Sequence, residues 1–331
     1  MLASFLRGRL ARAAAAGAAV ALALAAAPPQ ALACSICRCG DPTFNSLGSD
    51  VYSEAQFRIA FDFDRFEKSQ LVFEDGHPGT DHETEYRYTT TLSYGFGDRF
   101  LLVARLPVSH RNLTTTFEDD GGEEGAVRSK HGTEEVSTTG MSDPEFYGLV
   151  RLWSSRFGEG LGKRSTVSAI FGVKTPWGQN DVVRDGERVD EHAQPGTGST
   201  DLFGGLSGYY LLDERSTIFG SVQYRGTGRN DFGYKYGDIT MATLAYERKL
   251  TEPLDAVLEF DFRHAKRDQM DFSGEVDPNT GGTILYITPR LLFAIGPHVA
   301  LRAAVQIPIV ENLYGVQDEK VNVNGGVTLL F

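Results

Sequence analysis

The sequence predicts an all-β protein: a transmembrane, antiparallel, up-and-down β-barrel of about twelve strands. Three observations predict it. Long segments alternate apolar and polar residues with period two, long polar connections alternate with short ones, and the chain ends on an amphipathic strand whose last residue is aromatic. A hydrophobic content of 41% and a mean hydropathy of -0.23 resemble a soluble protein. They do not exclude a membrane barrel, because only every second strand residue faces lipid.

Met1 to Ala33 reads as a secretory signal peptide. Arg7, Arg9 and Arg12 precede an Ala/Val/Leu run from Ala13 to Ala27, and Ala31-Leu32-Ala33 fits small-x-small cleavage. A Cys-rich segment at residues 34–53 follows, expected in the periplasm, and the barrel is expected over residues 54–331. Removing the three leader arginines from 32 basic side chains leaves 29 against 44 acidic, a formal charge of −15. That balance argues against nucleic acid as a partner, which requires clustered Lys and Arg.

The first strand is carried by EAQFRIAFDFDRFEK, where Phe57, Ile59, Phe61 and Phe63 alternate with Arg58, Ala60, Asp62 and Asp64. Next, Tyr86, Tyr88, Thr90, Leu92, Tyr94 and Phe96 alternate with Arg87, Thr89, Thr91, Ser93 and Gly95. Phe100 to Val108 follows a tight Gly97-Asp98 turn. Further strands are expected at about Asp143 to Trp153, Ser165 to Thr175, Thr200 to Leu212, Ser216 to Arg225 and Asp238 to Lys249. Leu254 to His264, Thr283 to Ile295, Val299 to Ile309 and Val321 to Phe331 complete the set. Each runs about 10–13 residues, against the ~5–6 common in soluble domains and the ~9–11 a tilted membrane strand needs.

The connections decide between barrel and sandwich. Lys68 to Glu83, Thr114 to Thr139, Pro176 to Ser199, Gly226 to Gly237, Ala265 to Gly282 and Val310 to Lys320 read as long polar loops. Phe96 to Arg99, Leu212 to Arg215, Leu250 to Pro253 and Gly296 to His298 read as tight turns, with Ser154 to Lys163 somewhat longer. All the long loops therefore fall at one end, as in barrels with long outer loops and short periplasmic turns. Asn324-Gly325 resembles a hairpin turn, but alternation continues through it. Tyr94, Phe96, Phe100, Trp153 and Trp177 suit interface girdles.

The wet face of these strands places Arg58, Asp62, Asp64, Arg87, Arg105, Glu259, Asp261, Arg263, Arg290 and Arg302 in the lumen. They are candidate selectivity residues, or equally the salt bridges of a stabilised interior. The loops carry an acidic rim, Glu118, Asp119, Asp120, Glu123, Glu124, Glu134 and Glu135, then Asp181, Asp185, Glu187, Asp190 and Glu191, with His77, His82, His131 and His192 among them. Such a rim concentrates cations at the mouth, or serves as solvated loop surface. The terminal Phe331 reads as an assembly signal for the machinery that inserts barrels into the outer membrane.

Cys34-Ser-Ile-Cys37-Arg-Cys39 contains every cysteine in the chain. Haem attachment requires His after the second Cys, and Arg38 stands there. Several readings stand: a soft-metal site for Cu or Zn with a fourth ligand from elsewhere, a redox pair activated by Arg38, lipidation of Cys34, or an oxidised cluster without a role. No enzyme is expected. Gly196-Thr-Gly198 and Gly226-Thr-Gly228 lack a strand-to-helix phosphate cradle. Adjacent Ser109 and His110 point to opposite faces of a strand, so they cannot act as nucleophile and base.

The segments GMSDPEFYGLVRLW, IFGVKTPWG and GTGSTDLFGGLSGYYLL resemble the Gly-x-x-Asp strand starts, Gly-x-Lys-x-Pro-x-Gly strand end and Gly-Thr-Gly-Ser entry of the meta-pathway phenol degradation family of outer-membrane barrels. That family is similar to the fatty-acid and toluene transporter barrels. The likeness covers roughly Gly140 to Phe331. It implies a Gram-negative outer-membrane location, in contact with lipid, and passage of small, often aromatic or hydrophobic solutes. Larger relatives carry an N-terminal plug, for which the Cys-rich segment is too short. The expected function is therefore passive passage of a small solute through the lumen. The alternative is a barrel that anchors a periplasmic metal-binding or thiol-redox module at Cys34, Cys37 and Cys39.

Overall fold

The structure, a computed structural model, describes residues 57–331 apart from 75–76, 98, 118–131, 157–162 and 279. The Cys-rich segment, and the rim acids from Glu118 to Glu124 with His131, lie outside the described residues.

The strands are β1 (Phe57–Glu74), β2 (His77–Phe96), β3 (Phe100–Phe117), β4 (Gly132–Met141), β5 (Glu145–Arg156) and β6 (Lys163–Lys174). A two-residue hairpin follows, β7 (Val183–Arg184) with β8 (Glu187–Arg188), and a single 3-10 turn at Glu191–Ala193. The chain continues through β9 (Asp201–Asp213), β10 (Ser216–Gly226), β11 (Ile239–Lys249), β12 (Leu254–Ala265), β13 (Gly282–Ile295), β14 (Val299–Leu313), β15 (Gln317–Glu319) and β16 (Asn322–Leu330).

Every strand of the main sheet pairs antiparallel with its neighbours, and β1 pairs with both β2 and β16, so the sheet closes on itself. β4 and β5 share one position in the ring, interrupted at Ser142–Pro144, and β15 and β16 share another. The result is a closed twelve-stranded barrel. Closure removes the exposed strand edges that an open sheet would present. At the seam Arg58 pairs with Leu330 and Arg65 with Val323, while Phe331 donates its backbone N–H to Phe57 at 2.9 Å. Both ends of the barrel thus meet at the rim of the short turns. There Gly97 adopts φ +59°, a conformation that the turn requires and that only glycine takes freely. β16 runs unbroken through Asn324-Gly325.

The alternation sorts the faces as the sequence predicts. Phe61, Leu102, Phe171, Leu202, Leu244 and Leu291 are exposed on the outside, whereas Asp64, Arg87, Glu145, Lys174, Arg225 and Glu259 are buried within. Tyr94, Phe96 and Phe100 cluster at the short-turn rim, with the Tyr94 and Phe96 rings edge to face at 4.6 Å. Among the described residues no helix is long and apolar enough to cross a membrane; the crossing elements are strands.

Three expectations are corrected. Lys68 to Glu83 is not a loop: β1 and β2 extend as a hairpin with Lys68 paired to Glu83 and Glu74 to His77. Thr114 to Thr139 is likewise strand at both ends, with Phe117 paired to Gly132. Polar residues keep a ladder here because their inward side chains satisfy one another: Gln70 and Thr115 donate to Asp81 at 2.9 and 2.6 Å, and Lys68 pairs with Glu83 at 2.7 Å, so apolar alternation is not needed to hold it. Third, Pro176 to Ser199 is not a solvated outer loop. It folds inward and buries Glu191, His192, Gln194 and Thr197.

Candidate functional site: the barrel lumen

The lumen divides into two unlike halves. On the side of β3, β5, β6, β9 and β10, Leu101, Val103, Leu149, Ile170 and Phe203 form an apolar cluster with Tyr147 packed against it. Above the cluster lies a charged node. Lys174 Nζ donates to Asp143 Oδ2 at 2.9 Å and to Ser199 Oγ at 3.2 Å, bonds to Thr197 Oγ1, and sits 3.2 Å from Asp201. Glu145 accepts from Arg105 at 3.1 Å and from Arg225 at 2.5 Å. Lys174 and Arg225 are fully buried. Two charges removed from water this completely are tolerated because each cation meets carboxylates and hydroxyls in reach.

The node fastens the inward loop. Asp143 accepts from the backbone N–H of Gly178 at 2.9 Å and of Thr197 at 2.8 Å, so one carboxylate holds both ends of the segment between β6 and β9. The two ends touch: a Cβ added at Gly196 would lie 2.7 Å from the Gly178 Cα, which leaves no room for any other residue. Further along, Arg111 donates to the carbonyl of His192 at 2.6 Å, Thr138 to that of Ala193 at 2.5 Å and Ser109 to that of Pro195 at 3.3 Å. From the outer loops, Tyr236 donates to the Glu191 carbonyl at 3.1 Å and Asn230 to that of Thr197 at 3.1 Å. Tyr234 donates to Asp268 at 2.7 Å and lies 3.2 Å from His192 Nε2. The loop therefore obstructs the mouth on this side.

Two loop carboxylates are tuned in opposite directions. Burial raises Asp268, only partly offset by His192, Tyr234 and the N–H of Gly237. Burial also pushes on Asp238, but hydrogen bonds from Lys266, Lys235, the Thr227 backbone and Tyr224 outweigh it and hold that carboxyl well below the usual range.

The other half, β11 through β16 and β1, leaves space. A cavity of about 70 Å³ is lined by Asp64, Thr243, Glu259, Asp261, Asn322 and Asn324, together with Phe66, Arg263, Tyr286 and Arg290. Thr243 and Thr288 each donate to Asp261 at 2.8 Å, Asn324 to Asp64 at 2.6 Å, and Arg290 to Glu259 at 2.9 Å.

Of the lumen residues expected from sequence, Asp64, Glu259, Asp261, Arg263 and Arg290 come together around this cavity. Arg302 pairs with Asp62 at the seam, with Nε donating at 2.7 Å. Arg105 belongs to the node, Arg87 pairs with Glu85 at 2.9 Å, and Arg58 lies toward the short-turn rim, paired with Ser93 of β2. Ser109 and His110 do face opposite ways: Ser109 contacts Ser142 at 2.8 Å inside, and His110 contacts Thr139 at 2.7 Å outside. Sequence reasoning missed Asp143, Lys174, Thr197, Asp201, Glu145 and Arg225. Among the described residues no group of three or more His, Cys, Asp or Glu is placed to hold a metal ion.

A closed twelve-stranded barrel, apolar outside and polar within, with all its short turns at one end, is an outer-membrane β-barrel protein. The family described as Putative MetA-pathway of phenol degradation matches residues 80–312, and the chain belongs to that family. No curated protein matches the sequence. An outer-membrane channel from Pseudomonas putida F1 is similar in structure, with 12% identity over 88% of this chain and 99% of the channel and a TM-score of 0.58. The translocator domain of the autotransporter NalP from Neisseria meningitidis is similar at 10% identity, 82% and 88% coverage and a TM-score of 0.47. The Ralstonia pickettii toluene transporter TbuX aligns at 8% identity, 85% and 90% coverage and a TM-score of 0.41.

Proposed function

We propose that the protein is an outer-membrane channel for passive passage of small solutes along the β11–β1 side of the lumen. The observation that carries this reading is the unequal filling of the barrel. One half is packed by the apolar cluster, the charged node and the inward loop, while the other keeps a polar, side-chain-lined cavity. A structural barrel without a transport role has no need for that asymmetry. Likeness to an outer-membrane channel supports passage through the lumen, and membership in a family described by phenol degradation supports small aromatic compounds as cargo. Conductance of the purified full-length protein in a planar bilayer tests it. Discrete single-channel currents in KCl are expected, and a barrel that inserts but passes no current and no small solute overturns the reading.

A further inference from the structure

We infer that the outward face of the tall sheet β1–β4 docks the oligosaccharide headgroups of the glycolipid in the outer leaflet, and that it recognises sugar hydroxyls rather than lipid phosphates or acyl chains. This goes beyond passage through the lumen and does not depend on it; the outer-membrane location is its only premise.

These strands outlast the membrane. A lipid belt ~25 Å tall is crossed by about ten residues of a strand that rises ~3.3 Å per residue and tilts ~40°. Counted from Phe57 at the short-turn rim, the belt ends near Phe66, yet β1 runs on to Glu74 with the ladders of β2, β3 and β4 alongside. Outward side chains fall in rows across the four strands. Phe63, Tyr88, Val108 and Met141 form the last apolar row, with Tyr88, Val108 and Met141 exposed. Directly above it come Arg65, Tyr86, His110 and Thr139, and the Tyr86 ring stacks between those of Phe63 and His110 at 6.3 and 6.1 Å. Glu67, Thr84, Asn112 and Ser137 make the next row, then Ser69, His82, Thr114 and Glu135. The face is continuous with the lipid-facing surface, so what stands against it is the headgroup layer of the lipids packed below.

The two faces of this sheet differ in chemistry. Inward, Lys68, Gln70, Asp81, Glu83 and Thr115 are spent on one another. Outward, the side chains of Thr84, Asn112 and Thr114 bond to no other described residue and are not sealed from solvent. Each offers both a donor and an acceptor, the pairing that a sugar hydroxyl also presents. The charges do not suit phosphate. Arg65 is held by Glu67 at 2.5 Å, and His82 lies 3.3 Å from the same carboxylate. With Glu135, one Arg stands against two Glu, which leaves these three rows one formal negative charge when both histidines are neutral. An acyl chain meets no aliphatic side chain in them. A neutral sugar chain meets hydroxyls, an amide and a row of stacked rings held on a rigid sheet.

The test is the temperature of the electrophoretic transition from folded to unfolded barrel, measured on the detergent-solubilised full-length protein with added lipid. Lipopolysaccharide that carries its core oligosaccharide is expected to raise the transition by about 3 °C or more. Lipid A, which keeps the phosphates and acyl chains but lacks the core sugars, is expected to act no differently from phosphatidylglycerol. The triple substitution Thr84→Ala, Asn112→Ala and Thr114→Ala should abolish the shift from core-bearing lipopolysaccharide and leave the lipid-free transition nearly unchanged. Asn112→Ala alone should reduce the shift, and it carries the test if the triple variant does not fold. Equal shifts from lipid A and core-bearing lipopolysaccharide would assign recognition to phosphate or acyl chain and overturn the inference. No shift, or a shift that survives the substitutions, overturns it as well. Light scattering is run in parallel: a wild-type protein that self-associates, and that the triple substitution makes monomeric, would assign the face to a second copy of the chain and overturn the inference too.

Discussion

The Nζ atom of Lys174 lies 2.9 Å from Asp143 Oδ2, across 31 residues of chain, and both side chains are buried. Three short glycine-bearing segments, each at the end of a different strand, meet at that contact. Asp143 comes from the break between β4 and β5, Lys174 from the end of β6, and Thr197 and Ser199 from the entry to β9. Lys174→Met leaves Asp143 buried without its cation and Asp201 with only Arg225, 4.0 Å away. A loss of about 3–5 kcal/mol is expected, read as a lower temperature for the electrophoretic transition from folded to unfolded barrel. Lys174→Met combined with Asp143→Asn should recover part of it, because the amide removes the unpaired charge and its oxygen can still accept a backbone N–H from Gly178 or Thr197.

The inward loop obstructs the mouth from one side only. Replacing Val183 to Glu187, the exposed tip of the β7–β8 hairpin, by a short Gly-Ser link keeps the loop's anchor at Asp143 and the bonds of buried Gln194 to Val182 and Val189. A larger single-channel conductance is expected, with the thermal transition of the barrel unchanged. An unchanged conductance would show that the constriction lies deeper.

Acid should loosen the outer loops through Asp238. Its carboxyl accepts from Lys266 at 3.0 Å, Lys235 at 3.1 Å and Tyr224 at 3.0 Å. Because its pKa is held below the ordinary value, the stability it contributes is present above that value, near ~3.9, and is lost as pH falls toward the folded pKa. Asp268 has the opposite sign: its pKa is raised, so its contribution is fullest below the ordinary value and fades as pH rises through the folded one. The protection factors of the Gly226 to Gly237 amides, taken relative to intrinsic exchange at each pH, should therefore fall between about pH 4 and pH 2 in the wild type. In Asp238→Asn the protection factors should be low throughout and nearly flat with pH.

Phe331 packs its ring 6.1 Å from that of Phe57 and closes a backbone pair with it. Deleting Phe331 is expected to reduce the amount of barrel inserted in the outer membrane, measured by membrane fractionation, while single-channel selectivity of the inserted fraction stays the same. Normal insertion of the truncated chain would remove the proposed role as an assembly signal.

The barrel was legible in the sequence because its period of two is enforced by two solvents at once. Leu254 to His264 shows why: lipid selects Leu258, Phe260 and Phe262, and the hydrated lumen selects Glu259, Asp261 and Arg263. The upper halves of β1 to β4 lack that double selection, so Ser69, Gln70 and Thr115 look like loop although they sit in strand ladders. The node was invisible for a different reason. The partners of Lys174 come from a loop folding back into the barrel, and alternation carries no information on loop direction. One signal was present: a lysine on the lumen face at a strand end, between two glycines and a proline, is a costly residue to bury without a purpose.

The seam between β1 and β16 sets a timetable. Asp62 and Arg302 are 240 residues apart, and Asp64 and Asn324 are 260 apart, yet each pair must meet for the ring to shut. Neighbouring hairpins can form as soon as their own residues are available, but the last pairing waits for the final nine-residue strand to be delivered. Until then every intermediate exposes two raw sheet edges. A factor that shields the leading edge of β1 until β16 pairs with it is therefore expected to raise the yield more than one that speeds any single hairpin.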